Sequence, residues 1–210
     1  IPQFSQAETD NFVTPPAHIP EALGVLMFNM ERGVNLPEIQ EFLRDCPDIQ
    51  PFDVILANEL DDGCARSGNK NTARELAQAF GLNYAWGLEF IELVNDENAK
   101  GFHGNAVFSR WPIRRAGVIR LPEQYNWYFD RQKRIGGRLA VFAELDVGGQ
   151  PVGAVSIHLE NRTHGEGRKA QMAAILEAVR KELPDMPLII GGDLNTNTFD
   201  GRAKEDISAI

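Results

Sequence analysis

Four runs of this chain are apolar at nearly every position and stop on a polar residue. "VLMFN" ends at Asn29, "VILANE" at Glu59, "AVSIHLEN" carries His158 and Asn161, and "LIIGGDLN" carries Asp193 and Asn195. A strand with one wet face alternates apolar with polar residues, whereas an unbroken apolar run is buried on both faces. The chain must therefore build sheets that are covered on either side, and each covered strand reaches water only at a polar end.

Strands are expected at 23–29, 53–60, part of 82–94, 104–110, 137–147, 152–159 and 188–195. Helices fit between them. "NLPEIQEFLRDC" offers Asn35 as N-cap with Glu38 three residues on, and "NTARELAQAFG" opens at Asn71 and closes at Gly81. A third helix, from about Glu166 to Leu183, carries Met172, Ile175, Leu176, Val179 and Leu183 on one stripe. "GGQP" between two strands signals a hairpin. Hairpins mixed with strand–helix–strand units predict an α/β layered sandwich with mixed sheets.

With 210 residues, 43% of them hydrophobic, the chain can fill one sizeable core and only marginally two. No repeat or low-complexity tract divides it. Residues 1–21 are polar and proline-rich and read as an arm or strap, with one domain over 22–210. The chain opens on Ile1, as expected of a processed chain or a fragment, and the compartment stays open. No apolar run approaches the ~20 residues of a membrane span. Cys46 and Cys64 have neither metal-ligand spacing nor a framework count and read as buried or idle thiols, with a disulfide open only to an exported chain. A net charge of -9 opposes long-range attraction to a polyanion, although the basic stretch "RQKRIGGR" at 131–138 can hold a phosphate locally. No obligate protein partner is evident.

If the polar strand ends share one edge, they form a cluster of carboxylate, carboxamide and imidazole groups whose desolvation needs compensation. A hard divalent cation together with a phosphate would supply it: carboxylate oxygens for the metal, amide N–H groups and imidazole for phosphate oxygens.

In order along the chain, Asn29, Glu59, "GFHGNAVFSRWPI", "GGRLAVFAEL", "SIHLEN" and "GGDLNTN" resemble the endonuclease/exonuclease/phosphatase superfamily over residues 22–200. The resemblance implies a four-layer α/β sandwich with two packed central sheets flanked by helices. It implies a metal-dependent phosphoester hydrolase, most simply a phosphodiesterase of nuclease type, using Mg²⁺, with Mn²⁺ or Ca²⁺ as alternatives. The substrate class stays open among nucleic acid, phospholipid head group and inositol phosphate; the alternative function is a non-catalytic member that only binds. By the same resemblance Glu59 is the principal metal ligand, and Asn29 sits beside metal and phosphate. Asp193 activates water, Asn195 and Asn161 contact phosphate, and His158 assists the reaction. Glu31 stands where some members carry a second acid, Arg168 and Gln171 match an orienting pair, and His103 and His164 flank the site. Trp127 and Tyr128 form one candidate aromatic loop. The chain departs from the family in ending at "GRAKEDISAI" without an Asp-His pair, since Asp206 is followed by isoleucine. The domain is therefore expected to be incomplete at its C-terminus.

Overall fold

The computed structural model describes residues 4–196. Its strands are β1 (Glu8–Asp10), β2 (Val25–Arg32), β3 (Val54–Asp62), β4 (Asn83–Glu92), β5 (Phe102–Ser109), β6 (Ile113–Arg120), β7 (Arg134–Gly136), β8 (Leu139–Val147), β9 (Gln150–His158) and β10 (Leu188–Asp193). The helices are α1 (Leu36–Asp45), α2 (Thr72–Phe80) and α3 (Gly165–Glu182). One sheet has the order β1-β4-β5-β3-β2, with β7 also on β4; the other has the order β10-β9-β8-β6. Both are mixed, since β2 runs parallel to β3 and β10 parallel to β9 among otherwise antiparallel neighbours.

The alternation of side chains along each strand builds the layers. Ile55 and Ala57 of β3 face outward with Leu36 and Leu43 of α1 and Leu76 and Ala77 of α2. Val54 and Leu56 face inward and pack with Leu139, Val141, Ala143 and Ala154 of the other sheet. On the far side, Phe142, Val155 and Ile157 pack under Ile175, Val179 and Leu183 of α3. The result is the expected four-layer sandwich, helices outside and two sheets within.

Details of the helices depart from expectation. Asn71 caps α2 by accepting the Arg74 N–H, but Asn35 stands at the N-cap of α1 without a side-chain cap bond. Leu176 is exposed on the solvent side of α3, so the buried stripe is narrower than its spacing suggests. Cys46 and Cys64 are free thiols, and burial pushes that of Cys64 up to about 12.

Strands β1, β6 and β7 do not follow from the sequence pattern. In β6, "IRRAGVIR", arginines interrupt the apolar period. Arg114 and Arg115 reach out to Asp146 and Glu182, whereas Arg120 turns inward and donates to the carbonyls of Phe4, Gly137 and Leu88. The arm is partly sheet: β1 pairs antiparallel with β4 through Glu8 and Trp86. Glu8 Oε1 there accepts from Asn71 Nδ2 and the Tyr84 hydroxyl.

At one end the inner face of the sandwich turns polar. Continuing inward after Val54 and Leu56 comes Asn58, buried to 1% exposure. Its amide crosses between the sheets: Nδ2 donates to the Ile157 carbonyl at 3.0 Å, and Oδ1 accepts the Asp193 N–H at 2.8 Å. Replacing Asn58 with Ala orphans one buried donor and one buried acceptor, each worth ~1–3 kcal/mol. Asn58→Ala should therefore lower the unfolding free energy by about 2–4 kcal/mol, read from urea denaturation; a loss well below that would show the clip to be dispensable.

Candidate active site at the strand ends

The polar strand ends do converge. Asn29 Nδ2 lies between two carboxylates, donating to Asp193 Oδ2 at 3.1 Å and to Glu59 Oε1 at 3.3 Å. Its Oδ1 accepts the Glu31 N–H, so the amide plane is fixed from both ends, and Glu31 enters through its backbone. Asp193 Oδ1 accepts the Asn195 N–H, and Asn195 Nδ2 donates to the Leu159 carbonyl. Asn29, Glu59, Asp193 and Asn195 thus form one connected set although they lie far apart in sequence.

Local backbone distortion aims these groups. Glu31, Arg32, Glu59 and Asn195 all hold positive φ, at 46°, 68°, 58° and 49°. The ladders of β3 with β5 and of β2 with β3 slip register at these points, between Ala57 and Leu60 and between Asn29 and Arg32. A bulge re-aims a side chain out of the pleat. Left-handed backbone at a residue with a Cβ costs of order 1–3 kcal/mol, and such strain gathers at functional sites. The glycines before Asp193 have a steric cause: a Cβ on Gly192 would lie 2.1 Å from the Ile157 carbonyl oxygen, and its φ is 139°.

His158 ends β9 and sits fully within the network. Its Nδ1 lies 3.2 Å from Glu89 Oε2, and its Nε2 lies 3.9 Å from Asp193 Oδ2. The second distance is too long for a hydrogen bond and short enough for one oxygen to be held by both. Sequence reasoning passed over Glu89, which hides in the apolar run "WGLEFIE". Its place at the polar end of β4, on the parity of the inward-facing Ala85, was the available signal. Arg138, the last residue of the basic stretch at 131–138, donates from Nη1 to Glu89 at 3.2 Å and from Nη2 to Asn161 Oδ1 at 3.1 Å. Burial opposes the charge on Glu89, yet His158 and Arg138 hold its carboxyl far below the ordinary range. Arg138 is likewise resisted by burial and held charged by Glu89 and Glu160.

His103 packs on the other side of Glu89 and bonds Asp61 Oδ1 through Nδ1 at 2.8 Å. Burial raises the Asp61 carboxyl, but hydrogen bonds from Arg66 and His103 outweigh it and bring the group down to about 2. Gln171 is buried, with Oε1 accepting the Glu160 N–H and Nε2 donating to the Pro122 carbonyl. Arg168 donates to the Thr163 carbonyl. The pair therefore orders the 160–163 loop that carries Asn161. His164 only occupies the N-cap position of α3, without a side-chain cap bond. Trp127 is buried, its N–H on Glu160, while Tyr128 and Phe129 are exposed. Asp206 and the rest of "GRAKEDISAI" lie outside the described residues.

A cavity of about 600 Å³ opens beside Glu59, lined also by Arg32, His103, Trp127, Arg134, Arg138 and Asn161. Among the described residues, no group of three or more His, Cys, Asp or Glu side chains is arranged to hold a metal ion. The donors at the cavity edge are oxygens, and Glu59 and Asp193 are both partly open to solvent. Such a sparse oxygen set fits a hard cation that keeps much of its water, as Mg²⁺ does.

The family model described as "Endonuclease/Exonuclease/phosphatase family" matches residues 28–205. No curated protein matches the sequence. Among solved structures, the chain is similar to an endonuclease/exonuclease/phosphatase from Beutenbergia cavernae at 22% identity and a TM-score of 0.60. That match covers 81% of this chain and 47% of the other. The human Nocturnin catalytic domain with bound sulfate anion gives 21% identity and a TM-score of 0.57, covering 92% of this chain and 69% of that one. A mannosyl-6-phosphatase from Bacteroides thetaiotaomicron gives 16% identity and a TM-score of 0.55, with 86% and 71% covered. These likenesses carry the fold. The chain spans about half of the first of these structures and about seven tenths of the other two.

Two outcomes follow from the strain and the buried charges. Glu59→Gly relieves left-handed backbone worth about 1 kcal/mol or more. Its melting temperature should exceed the parent's by about 2–4 °C without added metal; a fall would show that Glu59 is not strained. Asp61 ionises in the fold at about 2, against a usual 3.8. A carboxyl depressed in the fold stabilises fully above its unfolded value, so that contribution, about 2 kcal/mol, should be lost as pH falls from 4 to 2. Stability against pH should be less steep over that window in Asp61→Asn.

Proposed function

Because the chain belongs to the endonuclease/exonuclease/phosphatase family, we propose that it hydrolyses a phosphoester, most simply a phosphodiester, with the help of a divalent cation such as Mg²⁺. The observation that carries this reading is the single Asn29 amide bridging the carboxylates of Glu59 and Asp193, with His158 Nε2 3.9 Å from the latter. Glu59 and Asn29 are the residues that would hold the cation. When bound, it would supply positive charge to the non-bridging phosphate oxygens and the leaving oxygen.

The side chains divide the remaining work. Asp193 Oδ2, held by Asn29, accepts a proton from the attacking water, whose oxygen forms the new bond to phosphorus. The bond from phosphorus to the leaving alcohol breaks, and that oxygen takes a proton from water beside His158, whose ring nitrogens lie 2.9 and 3.0 Å from Arg138 Nη1. Glu89 Oε2 behind Nδ1 fixes the orientation of the ring. Asn195 and Asn161 offer amide donors to phosphate oxygens, Asn161 being steadied by Arg138. The water-excluding wall is the apolar inter-sheet core behind Asn58.

Two substitutions separate binding from chemistry. Asp193→Asn should cut hydrolysis of bis-p-nitrophenyl phosphate by on the order of 10²–10³ while still binding Mg²⁺ by calorimetry. Glu59→Gln should lose the Mg²⁺ isotherm as well as the activity. Mg²⁺ binding without turnover in the parent chain would favour a binding module instead.

A further inference from the structure

The basic stretch at 131–138 stays outside the chemistry just described, apart from Arg138. Five guanidiniums, those of Arg32, Arg131, Arg134, Arg138 and Arg162, line the cavity beside Glu59, against the carboxylates of Glu59 and Asp130. This is a concentration of positive charge in a chain whose net charge is -9. We propose that Arg131, Arg134 and Arg162 form a second anion subsite that takes a terminal phosphate monoester of the same substrate, while another phosphate of that substrate sits at Glu59 and Asp193. The proposal rests on the phosphoester hydrolase reading and names its substrate class: a compound with at least two phosphates, one of them terminal.

The charge accounting favours an anion at this place. Arg138 is committed to Glu89, Glu160 and Asn161. Arg134 is buried and lies 2.9 Å from Glu92 through Nε, at an angle that leaves that N–H without a hydrogen bond. Burial acts most strongly against its charge and Glu92 supports it, while the neighbouring Arg66, Arg32 and Arg138 oppose it. Arg131 makes no ion pair among the described residues. Among the described residues Arg162 has only Asp130 as an ion-pair partner, at 4.0 Å, and that carboxylate already accepts from the Tyr125 hydroxyl and the Gln132 N–H. A phosphate would relieve the mutual repulsion of these groups.

The wall is also fixed in advance. The guanidiniums of Arg134 and Arg138 stack over the Trp127 ring at 5.0 and 5.6 Å. Arg134 is further tied to Gln132, and β7 pins it to the end of β4. Arg134 lies in β7, beside β4, whereas Asp193 ends β10 in the other sheet, which places the two phosphates on different elements. Guanidinium forks match the several free oxygens of a terminal phosphate, and three of them exceed what an internal diester with one charge requires. At about 600 Å³ the cavity admits two phosphates and a short linker. The terminal phosphate can belong to a small bisphosphate or to the end of a nucleotide strand.

Calorimetry on the Mg²⁺-loaded Asp193→Asn protein, which spares the probes from turnover, distinguishes these. The probes are butanediol bisphosphate against hydroxybutyl phosphate, and a terminally phosphorylated thymidine dinucleotide against the unphosphorylated one. In at least one pair the additional phosphate should tighten binding about tenfold or more, and the pair with the larger ratio identifies the source. Arg131→Ala with Arg162→Ala should abolish that ratio and leave binding of the dinucleotide that lacks the terminal phosphate unchanged. Equal affinities within both pairs, or a ratio that survives the double substitution, would overturn the subsite. If the ratio is found but the wild-type chain with Mg²⁺ hydrolyses neither doubly phosphorylated probe nor bis-p-nitrophenyl phosphate, the subsite stands and the hydrolase reading falls. Hydrolysis with a ratio of one means the reverse.

Discussion

Two sheets that meet only through aliphatic side chains have no preferred offset finer than a side chain, because the hydrophobic effect is not directional. The buried amide of Asn58 supplies the direction. It joins β3 to the Ile157 carbonyl and to the Asp193 N–H, so Glu59, the next residue on β3, is placed relative to Asp193 by two hydrogen bonds. Asn105 extends the arrangement, since its Oδ1 accepts both Asn58 Nδ2 and the Glu59 N–H. Each bond is modest in net worth, but a misfit of either would leave buried polar groups unpaired. The carboxylate pair is thus held by the same contact that sets the offset of the sheets.

Behind the exposed carboxylates lies a second tier of charge. Glu89, Asp61, Glu92 and Glu160 are buried, and Arg66, Arg134, Arg138, His103 and His158 surround them. Removing one partner leaves its counterpart uncompensated in a medium that penalises charge. Such a tier is a poor source of stability compared with apolar packing of the same volume. Its effect is to give the His158 ring a fixed orientation and to keep Arg138 against Asn161.

Much of this was legible in the sequence for a simple reason. Covered strands announce themselves by unbroken apolar runs, and a polar residue at the end of such a run must surface or find a partner. That logic gathered Asn29, Glu59, Asp193 and Asn195 at strand ends, the family resemblance singled out His158, and the helices came out with their boundaries nearly intact. It failed where a charge is buried by a partner distant in sequence. Glu89 and Arg138 compensate one another across two sheets, and neither run contains a hint of the other. Strand β6 was hidden for a related reason: the Arg120 guanidinium is hydrogen-bonded by backbone carbonyls, which leave no trace in composition. Asn35 and Leu176 show the converse, in that a favourable local pattern does not ensure a cap or a buried contact.

The outer edge of β4 is divided between two short strands, β1 over Tyr84 to Trp86 and β7 over Phe90 to Glu92. Each satisfies a few backbone groups, and neither offers a long flat margin of its own. A continuous bare β4 edge would be a template for pairing with another copy of the chain. The proline-rich arm consequently acts as a guard on solubility, fastened by Glu8 to Tyr84 and Asn71. A protease cut between the arm and β2 would leave the carboxylate cluster whole and alter chiefly how the molecules associate with one another.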